Sequence, residues 1–266
     1  MAAITKQEIQ KAIDMFNNGM SITKIAKELN RDRGTLSKRL KEEGLNITQH
    51  CNKKQVNSEF FDEWNEKSAY WLGFIFADGH LTDDNRLDIC IKDEEHIEKF
   101  KANINSEHSI SVKTVKGNSY YRISIQDSHL GNRLKELGVS SNKTYGWIIP
   151  EVPIEYINHF IRGLFDGDGN FNNRKYRPVC RLVAYDINLL ENLIEIIKEQ
   201  VPSVEEHIRI YNYDNRIPEL NISSKQSVKD FLDWLYDSAT IYLDRKHEKY
   251  LGFAVSGTNR KDSWDY

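Results

Sequence analysis

A stretch of seven residues occurs twice in this sequence, at an offset of 90 positions, and each copy heads a segment long enough to be a folding unit. It reads GFIFADG at residues 73–79 and GLFDGDG at residues 163–169. On a helix, small residues four apart share a face, as do Gly73 and Ala77 in the first copy and Gly163 and Gly167 in the second. Small side chains allow two helix backbones to approach closely. The repeat therefore predicts two helices packed along this seam, each ending at its final glycine.

Asp78 and Asp168 would emerge side by side at the ends of these two helices. Acidic groups at a helix C-terminus are disfavoured by the helix dipole and by each other. A bound divalent cation relieves both penalties, because carboxylates are hard oxygen ligands. The alternative is a pair of buried helices that end in ordinary Asp-Gly turns. A single copy would favour that alternative, but two matched copies in one chain favour a functional pair of carboxylates.

Composition is that of a soluble globular protein. The 266 residues suffice for one large domain and a small one, with 39% of them hydrophobic and 29% charged. No apolar run approaches the ~18 residues of a membrane span, and the N-terminus lacks an apolar signal core. Cys51, Cys90 and Cys180 are far apart and lack the spacing of zinc ligands. We expect a cytoplasmic protein with reduced thiols and no membrane partner, in a prokaryotic or phage-encoded setting.

The net charge of −3 hides an uneven distribution of charge along the chain. Residues 1–58 hold 11 lysines and arginines against 6 acidic residues, whereas the remainder holds 26 against 34. The N-terminal segment is therefore basic by itself, which is typical of a DNA-binding module. The acidic remainder can still bind DNA if its basic residues gather on one surface.

Residues 5–44 have the pattern of three short helices. Thr5 and Glu8 form a capping box, Ser21 can cap a second helix, and a turn at Asn30 leads to a third helix that ends at Gly44. Two short helices joined by a tight turn, the second of them basic, resemble the helix-turn-helix of resolvase-like and repressor proteins. The alternative is a small helical bundle with solvated charges.

In helix-turn-helix modules, the N-terminal residues of the third helix lie at the base edges of the major groove. The candidate DNA contacts on the polar side of this helix are Arg33, Thr35, Lys38 and Arg39. Asn30 stands where such proteins usually have glycine in the turn, and asparagine also tolerates a left-handed conformation.

The rest of the chain contains two similar units. Each reads as helix, hairpin, helix, hairpin, helix, and segments 123–137 and 220–234 also match at an offset of 97. The predicted fold class is α+β, with two pseudo-symmetric αββαββα units that form a saddle-shaped DNA-binding core preceded by a small all-α domain. The predicted domains are a helix-turn-helix domain at 1–47, a linker at 48–63, the core at 64–255 with repeat units at about 65–147 and 155–253, and a polar tail at 256–266.

Alternation along the predicted strands gives each sheet an apolar back against the helices and a polar front. A β-ribbon can enter the major groove, and arginine bound to guanine is the commonest specific base contact. A basic sheet face is usually only solvated, but two such sheets beside two convergent carboxylates favour DNA as the partner. The candidate contacts on these faces are Arg86, Arg122, Arg174, Arg177, Arg181 and Arg209.

With these residues, the chain resembles the LAGLIDADG homing endonucleases in their single-chain, two-motif form. The copy at 163–169 fits the family motif closely, while the first copy has Phe76 where an earlier Asp of the motif stands. The resemblance covers about 65–253 and leaves out the N-terminal helices. It implies a monomer with internal pseudo-twofold symmetry that cuts both strands of double-stranded DNA at a specific site, with magnesium and one staggered cut per strand.

The resemblance also implies a set of site residues. The metal-binding acidic residues of the family correspond to Asp78 and Asp168, and its basic site residue corresponds to Lys246 and, less closely, to Lys143. A further polar position of the family falls near Asp93 and Asp186, which are not part of the predicted set. In phosphodiester hydrolysis, cations held by carboxylates act as Lewis acids and lower the pKa of the attacking water, and a lysine balances the developing charge.

Other classes of function stay open at this point. The same scaffold could serve a DNA-binding regulator that no longer cuts, or an RNA-splicing maturase. Loss of one acidic residue would have favoured that class, but both Asp78 and Asp168 are present. A helix-turn-helix repressor with an effector domain is a third alternative, and it leaves the duplicated Asp-Gly helices unexplained.

Overall fold

The computed structural model describes residues 4–18, 20–45, 54–139, 149–173, 177–214 and 216–258, with the backbone alone for 255–258. The chain divides into two compact units, Met1–Gln55 and Val56–Tyr266, and each unit has its own apolar core. No helix among the described residues is long and apolar enough to cross a bilayer.

Three helices make up the N-terminal unit: α1 (Lys6–Asn17), α2 (Ile22–Glu28) and α3 (Arg33–Glu42). Each begins after a side chain that caps a free backbone amide, and the capping residues are Thr5, Ser21 and Asp32. Thr5 and Glu8 form the predicted capping box. The core between the three helices consists of Ile9, Ala12, Phe16, Ile25, Ala26, Leu36 and Leu40.

A turn of four residues joins α2 to α3. Asn30 in this turn has a left-handed φ of 48°, a conformation that asparagine tolerates better than most residues. The guanidinium of Arg31 binds the carboxylate of Glu8 at 2.9 Å, which ties the turn to the start of α1. The backbone at Asn30 therefore takes the conformation that the sequence suggested.

The second unit repeats one order of elements. Its first half consists of α4 (Glu66–Asp78), β1 (Gly79–Leu81), β2 (Arg86–Ile91), α5 (Glu94–Asn103), β3 (Ser111–Val115), β4 (Asn118–Gln126) and α6 (Ser128–Glu136). Its second half consists of α7 (Ile157–Asp168), β5 (Gly169–Asn172), β6 (Val179–Val183), α8 (Ile187–Gln200), β7 (Ile208–Tyr211), β8 (Glu219–Ser223) and α9 (Lys225–Tyr236). The predicted α+β class and the αββαββα order of each half are confirmed.

Each half contains one antiparallel four-stranded sheet. The strand orders are β1-β2-β4-β3 and β5-β6-β8-β7, so the two sheets have the same topology. Alternation directs an apolar set of each sheet into the core, and this set includes Leu87, Ile89, Ile123, Leu182, Leu220 and Ile222. Since α5 packs on β2 and β4, and α8 and α9 pack on β8, each sheet has one covered face and one open face.

The helices α4 and α7 pack along the predicted seam, and two glycines set their separation. A Cβ atom on Gly73 would lie 1.9 Å from the carbonyl oxygen of Phe160, and one on Gly163 would lie 1.9 Å from that of Tyr70. These two contacts are related by the 90-residue offset, so each helix places its glycine against the backbone of the other. A larger residue does not fit, because packed helix backbones cannot move aside locally.

Both motif helices end at the predicted glycines, but these glycines are not required for an unusual backbone φ angle. Gly79 and Gly169 follow the last helical residues with φ of −78° and −80°, which any residue can adopt. A Cβ on Gly79 would lie 2.7 Å from the carbonyl oxygen of Ile75, and one on Gly169 would lie 2.2 Å from the ring of Phe165. Glycine is therefore required here by the close approach of the chain to its own helix.

The boundaries of the second unit differ from those predicted. The predicted linker extends to residue 63, but Phe60 and Phe61, which mark the return of a core in the sequence, are already buried in the core of this unit. The chain also continues into a further helix, α10 (Asp244–Thr258), which passes the predicted end of the core at residue 255. The remainder of the predicted polar tail, 259–266, lies outside the described residues.

Replacement of Gly163 by alanine should destabilise the protein by about 1–3 kcal/mol or more, because the new Cβ overlaps the backbone of α4. The free energy of unfolding in urea measures this loss. Gly252→Ala on α10 is the matched control: nothing lies within 4 Å of a Cβ there. Helix propensity should make that variant up to ~1 kcal/mol more stable. Equal stability of the two variants would contradict the role of the seam.

Candidate functional site

Asp78 and Asp168 are the last residues of the packed helices α4 and α7. A Cβ on Gly167, which precedes Asp168, would lie 2.2 Å from the Cβ of Ala77 and 3.3 Å from Oδ2 of Asp78. The end of each helix therefore touches the end of the other. The close seam between the helices brings the two carboxylate-bearing residues together.

Lys246 lies in the first turn of α10, and its ammonium closes the end of α7. Nζ donates to the carbonyl oxygens of Phe165 at 2.5 Å, Gly169 at 2.6 Å and Gly167 at 3.5 Å. The carbonyl oxygen of Phe165 also accepts from the amide of Gly169, whereas the later carbonyls of α7 have no amide partner within the helix. An ammonium has three hydrogens to offer such carbonyls. The sequence places Lys246 after the last helix of the unit, whereas the structure places it at the start of an additional one.

Burial lowers the pKa of Lys246 to about 8, because the residue is only 6% exposed and desolvation disfavours its charged form. The carboxylates of Asp166, Asp78 and Asp168 act in the opposite direction, while the charge of Arg245 lowers the pKa further. The charge of Lys246 therefore acts on the buried Asp166 most strongly and also on both carboxylates of the seam. With its hydrogens directed at carbonyls, Lys246 is suited to balancing charge rather than to touching a phosphate.

Four other polar residues named in the sequence analysis are placed unequally. Lys143 and Arg174 lie outside the described residues. Asp93 and Asp186 are the N-caps of α5 and α8, which are equivalent positions in the two halves. Asp93 accepts from Nε of Arg245 at 3.2 Å, and Asp186 accepts from the amide of Asn188 at 3.0 Å.

A buried carboxylate, Asp166, holds the segment that carries Lys246. It accepts hydrogen bonds from the hydroxyl of Tyr70 at 2.8 Å, the hydroxyl of Tyr236 at 2.6 Å and the amide of Leu243 at 2.8 Å. Complete burial raises the pKa of Asp166, although these donors and the charge of Lys246 oppose the shift. The sequence patterns did not single out this role. The available signal was that Phe76 occupies the same motif position in the first copy.

Arg162, just before the second motif, is also fully buried and was not predicted. Its guanidinium donates to the carboxylate of Glu66 and to the carbonyl oxygen of Ile241, both at 2.8 Å. Glu66 also accepts from the amide of Thr240 at 2.8 Å. Because Glu66 is on α4 and Ile241 precedes α10, this network fixes both motif helices to the segment that leads to Lys246.

Two carboxylates with few other protein donors suit a magnesium ion that is shared with a substrate. Within the part of the chain that the structure describes, no group of three or more His, Cys, Asp or Glu side chains could hold a metal. Magnesium keeps several of its waters and commonly takes one or two carboxylates together with phosphate oxygens. Asp78 and Asp168 fit this manner of binding, and the positive charge of Lys246 would limit their mutual repulsion.

The open face of the first sheet carries a cluster of charges. Asp88 accepts from Arg86 at 3.2 Å and from Arg122 at 2.8 Å. Partial burial alone would raise the pKa of Asp88. The hydrogen bonds and positive charge of Arg122, together with the charge of Arg86, instead hold this pKa below its ordinary value. The arginine side chains are 43% and 47% exposed, so both predicted contacts lie together and remain accessible.

The open face of the second sheet has a polar row instead. Arg181 and Arg209 flank Asn221, which is the cross-strand partner of both. Arg181 donates to Oδ1 of Asn221 at 3.1 Å, and Arg209 donates to the carbonyl oxygen of Ile208 at 2.7 Å. Arg177, just before β6, is exposed. Arg181 and Arg209 therefore share one face, as alternation predicts.

The predicted contacts on α3 are all exposed, namely Arg33, Thr35, Lys38 and Arg39. Thr35 donates its hydroxyl to Asp32 at 2.9 Å, and Arg39 pairs with Glu42 at 3.0 Å. These are local contacts within one helix, and exposed pairs of this kind exchange readily for a ligand.

Two sequence-family models match the second unit, one for each repeat. Residues 67–138 match a model described as the WhiA LAGLIDADG-like domain, and residues 155–235 match one described as the LAGLIDADG-like domain. The two matches together cover more than half of the chain. The chain belongs to the LAGLIDADG family. The resemblance drawn from the two motifs is thereby confirmed at the level of family and fold.

Several solved LAGLIDADG structures are similar to this family member. The homing endonuclease I-WcaI bound to its DNA recognition sequence is 13% identical, with a TM-score of 0.49 over 72% of this chain and 90% of that one. The N-terminal LAGLIDADG domain of WhiA is 16% identical, with a TM-score of 0.44 over 73% and 88%. I-DmoI in complex with DNA and Mn is 20% identical, with a TM-score of 0.40 over 67% and 98%. The family assignment rests on the sequence models and not on these likenesses.

A curated protein is similar to most of this LAGLIDADG chain. The probable translation initiation factor IF-2 of Methanocaldococcus jannaschii is 28% identical in an alignment 226 positions long that covers 75% of this chain. The match spans 18% of the length of that protein. The similarity therefore concerns one segment of a much longer chain, and it transfers no activity in translation.

Replacement of Lys246 by methionine should destabilise the protein by about 3 kcal/mol, because buried carbonyls at the end of α7 lose a charged donor. Unfolding in urea, followed by circular dichroism, measures the change. Lys249→Met is the matched control, since Lys249 is an exposed lysine on the same helix. A Lys246→Met variant as stable as this control would show that the ammonium is not part of the helix end.

Proposed function

We propose that this protein is a DNA endonuclease that cuts both strands of a specific site by metal-dependent phosphodiester hydrolysis. The observation that carries the proposal is the meeting of Asp78 and Asp168 at the ends of α4 and α7, with the buried ammonium of Lys246 beside them. Two carboxylates from two repeats suit a substrate with two similar strands, because each can serve one scissile phosphate. Since one chain carries both, the enzyme works as a monomer.

The residues of the chain position the reaction. Bound magnesium supplies Lewis-acid stabilisation of the phosphate and lowers the pKa of the attacking water. Asp78 and Asp168 would hold the cation at the seam, and Lys246 would balance their charge. Asp166 and Arg162 fix the helix ends through buried hydrogen bonds, so the carboxylates need little reorganisation when DNA binds.

The open faces of the two sheets are proposed to lie in the major groove on the two sides of the cut. Strand register equates Asp88 of the first sheet with Arg181 of the second, and Arg122 with Glu219. These pairs have opposite charge, so the two faces offer different partners to base edges. The two halves of the target site therefore differ in sequence.

The N-terminal unit is proposed to be a helix-turn-helix that adds contacts outside the core. Its third helix, α3, presents Arg33, Thr35, Lys38 and Arg39 to solvent, and the segment 1–58 is basic. In such modules, this helix enters the major groove, and lysines and arginines neutralise phosphates. The unit would therefore raise affinity without taking part in hydrolysis.

Asp78→Asn and Asp168→Asn should each abolish double-strand cleavage while leaving DNA affinity within a few-fold of wild type. Each substitution removes a carboxylate that would hold the cation but keeps the shape of the side chain. The substrate is the DNA made by joining the sequences that flank the gene, incubated with magnesium and examined for nicked and linear products. Affinity is measured by fluorescence anisotropy on the same sequence.

Asp83→Asn is the matched control for these variants, since Asp83 is an exposed carboxylate in the turn between β1 and β2. It should cut at the wild-type rate. Cleavage by both seam variants at the wild-type rate would refute the site. Tight binding without cleavage by the wild-type protein would instead identify a DNA-binding protein that does not cut.

Deletion of residues 1–47 should weaken DNA binding and flatten its dependence on salt, because each phosphate contact contributes about 0.9 to the slope of log K against log salt. The position of the cut should not change. Arg33→Gln with Lys38→Gln should reproduce part of the loss in the full chain, whereas Lys6→Gln with Lys11→Gln on α1 is the matched control. Unchanged affinity and salt slope after the deletion would count against the proposed module.

A further inference from the structure

A cavity of about 250 Å³ opens beside Asp168 in the second half of the LAGLIDADG unit. It lies between the end of α7, the end of β6 and the start of α8, and its wall includes Leu164, Leu182, Ala184 and Leu189. Ala77 closes it on the side of α4. The cavity is thus mostly apolar, and it adjoins a carboxylate that the proposed reaction uses.

The equivalent place in the first half is filled by side chains. By strand register, Ala184 corresponds to Ile91 of the first half. Leu189 corresponds to His96, because each lies three residues after the N-cap of its helix, Asp186 or Asp93. The motif offset equates Leu164 with Phe74. Phe74 and His96 are fully buried there, with ring centroids 4.6 Å apart, and Ile91 is also buried. The second half has Leu164 in place of Phe74 and Ala184 in place of Ile91. These smaller side chains leave the cavity open in the second half.

The mouth of the cavity is an exposed apolar patch. Tyr185 is 60% exposed at its rim, and Val183 and Ile217 are also well exposed. Glu219 separates this rim from Tyr211 on the outer strand, so the apolar patch is limited to the mouth of the cavity. A contiguous exposed apolar patch around a pocket is typical of a binding site.

We propose that this cavity receives one nucleobase, displaced from the stack of the bound DNA next to the phosphate at Asp168. The inference rests on the proposed binding of DNA at the seam, because a phosphate held there brings its own base to the mouth of the cavity. An apolar slot with an aromatic ring at its rim is the chemistry that holds an unstacked base. A base is also chosen over a partner's side chain because Asp168 forms part of the wall.

The proposal has a consequence for the two strands. Because Phe74, Ile91 and His96 occupy the equivalent place in the first half, the base is displaced on one side of the cut and stays stacked on the other. A displaced base leaves its neighbouring phosphate freer to move, so the two strands are cut at different rates.

The test places 2-aminopurine, one position at a time, in both strands around the cut of the joined flanking DNA. Its fluorescence rises when the base leaves the stack. Binding of the full chain without added magnesium should raise the signal several-fold at a position beside one scissile phosphate and not at its counterpart on the other strand. Ala184→Ile, which installs the residue of the first half, should remove that rise.

Tyr185→Ser is a second variant that leaves the core intact. It should weaken binding by about 5-fold to 150-fold, the range for loss of one base–aromatic stack. The loss should vanish on DNA that has an abasic site at the bright position. Val112→Ser is the control, because Val112 is an exposed apolar residue on β3 and lies outside the cavity.

If the DNA is bound tightly but 2-aminopurine fluorescence rises at no position, the inference is wrong. It is also wrong if fluorescence rises at one position and the rise persists with Ala184→Ile. A loss with Tyr185→Ser that persists on abasic DNA would overturn it too and would indicate a contact with the backbone. None of these outcomes contradicts the proposed cleavage, because cleavage is measured separately as the linear DNA product formed in magnesium. A thermal unfolding curve for Ala184→Ile confirms that the variant is folded when its signal is read.

Discussion

The contact between two helix backbones at Gly73 and Gly163 determines the position of the other elements around the site. Each glycine faces a carbonyl oxygen of the opposite helix at a distance that no side chain permits. This contact joins the two repeats, and it directs both helix ends to one place. Asp78 and Asp168 meet there because their helices cannot separate, so the chemistry of the site follows from the packing.

Buried polar groups of the second half then hold that meeting place. Asp166 and Arg162 bind backbone atoms of the segment before α10, and Lys246 of α10 returns to the carbonyls at the end of α7. Buried polar groups stabilise a fold only when their partners are satisfied, and here the partners come from several helices. The second half therefore supplies most of the support, although the two motifs look alike in sequence.

The sequence predicted much of the fold because the relevant signals are local. Helix and strand periodicity gave the order of elements, and Thr5, Ser21 and Asn30 indicated the caps and the turn of the N-terminal unit. The spacing of Gly163 and Gly167 indicated the seam. Phe60 and Phe61 marked the return of the core, and prediction was weaker at α10. A polar helix with few core contacts has little periodicity to detect, which is why α10 was not anticipated.

The sequence by itself determined which residues form the seam and which carboxylates end it, because a repeated pattern of small residues specifies both. Only the tertiary structure decided what surrounds those carboxylates. The long-range partners of Lys246, Asp166 and Arg162 are 70 to 96 positions away in the chain. The cavity beside Asp168 arises from a difference in side-chain size between aligned positions. Contacts between residues distant in the chain depend on how the helices and strands pack, and local periodicity in the sequence does not predict them.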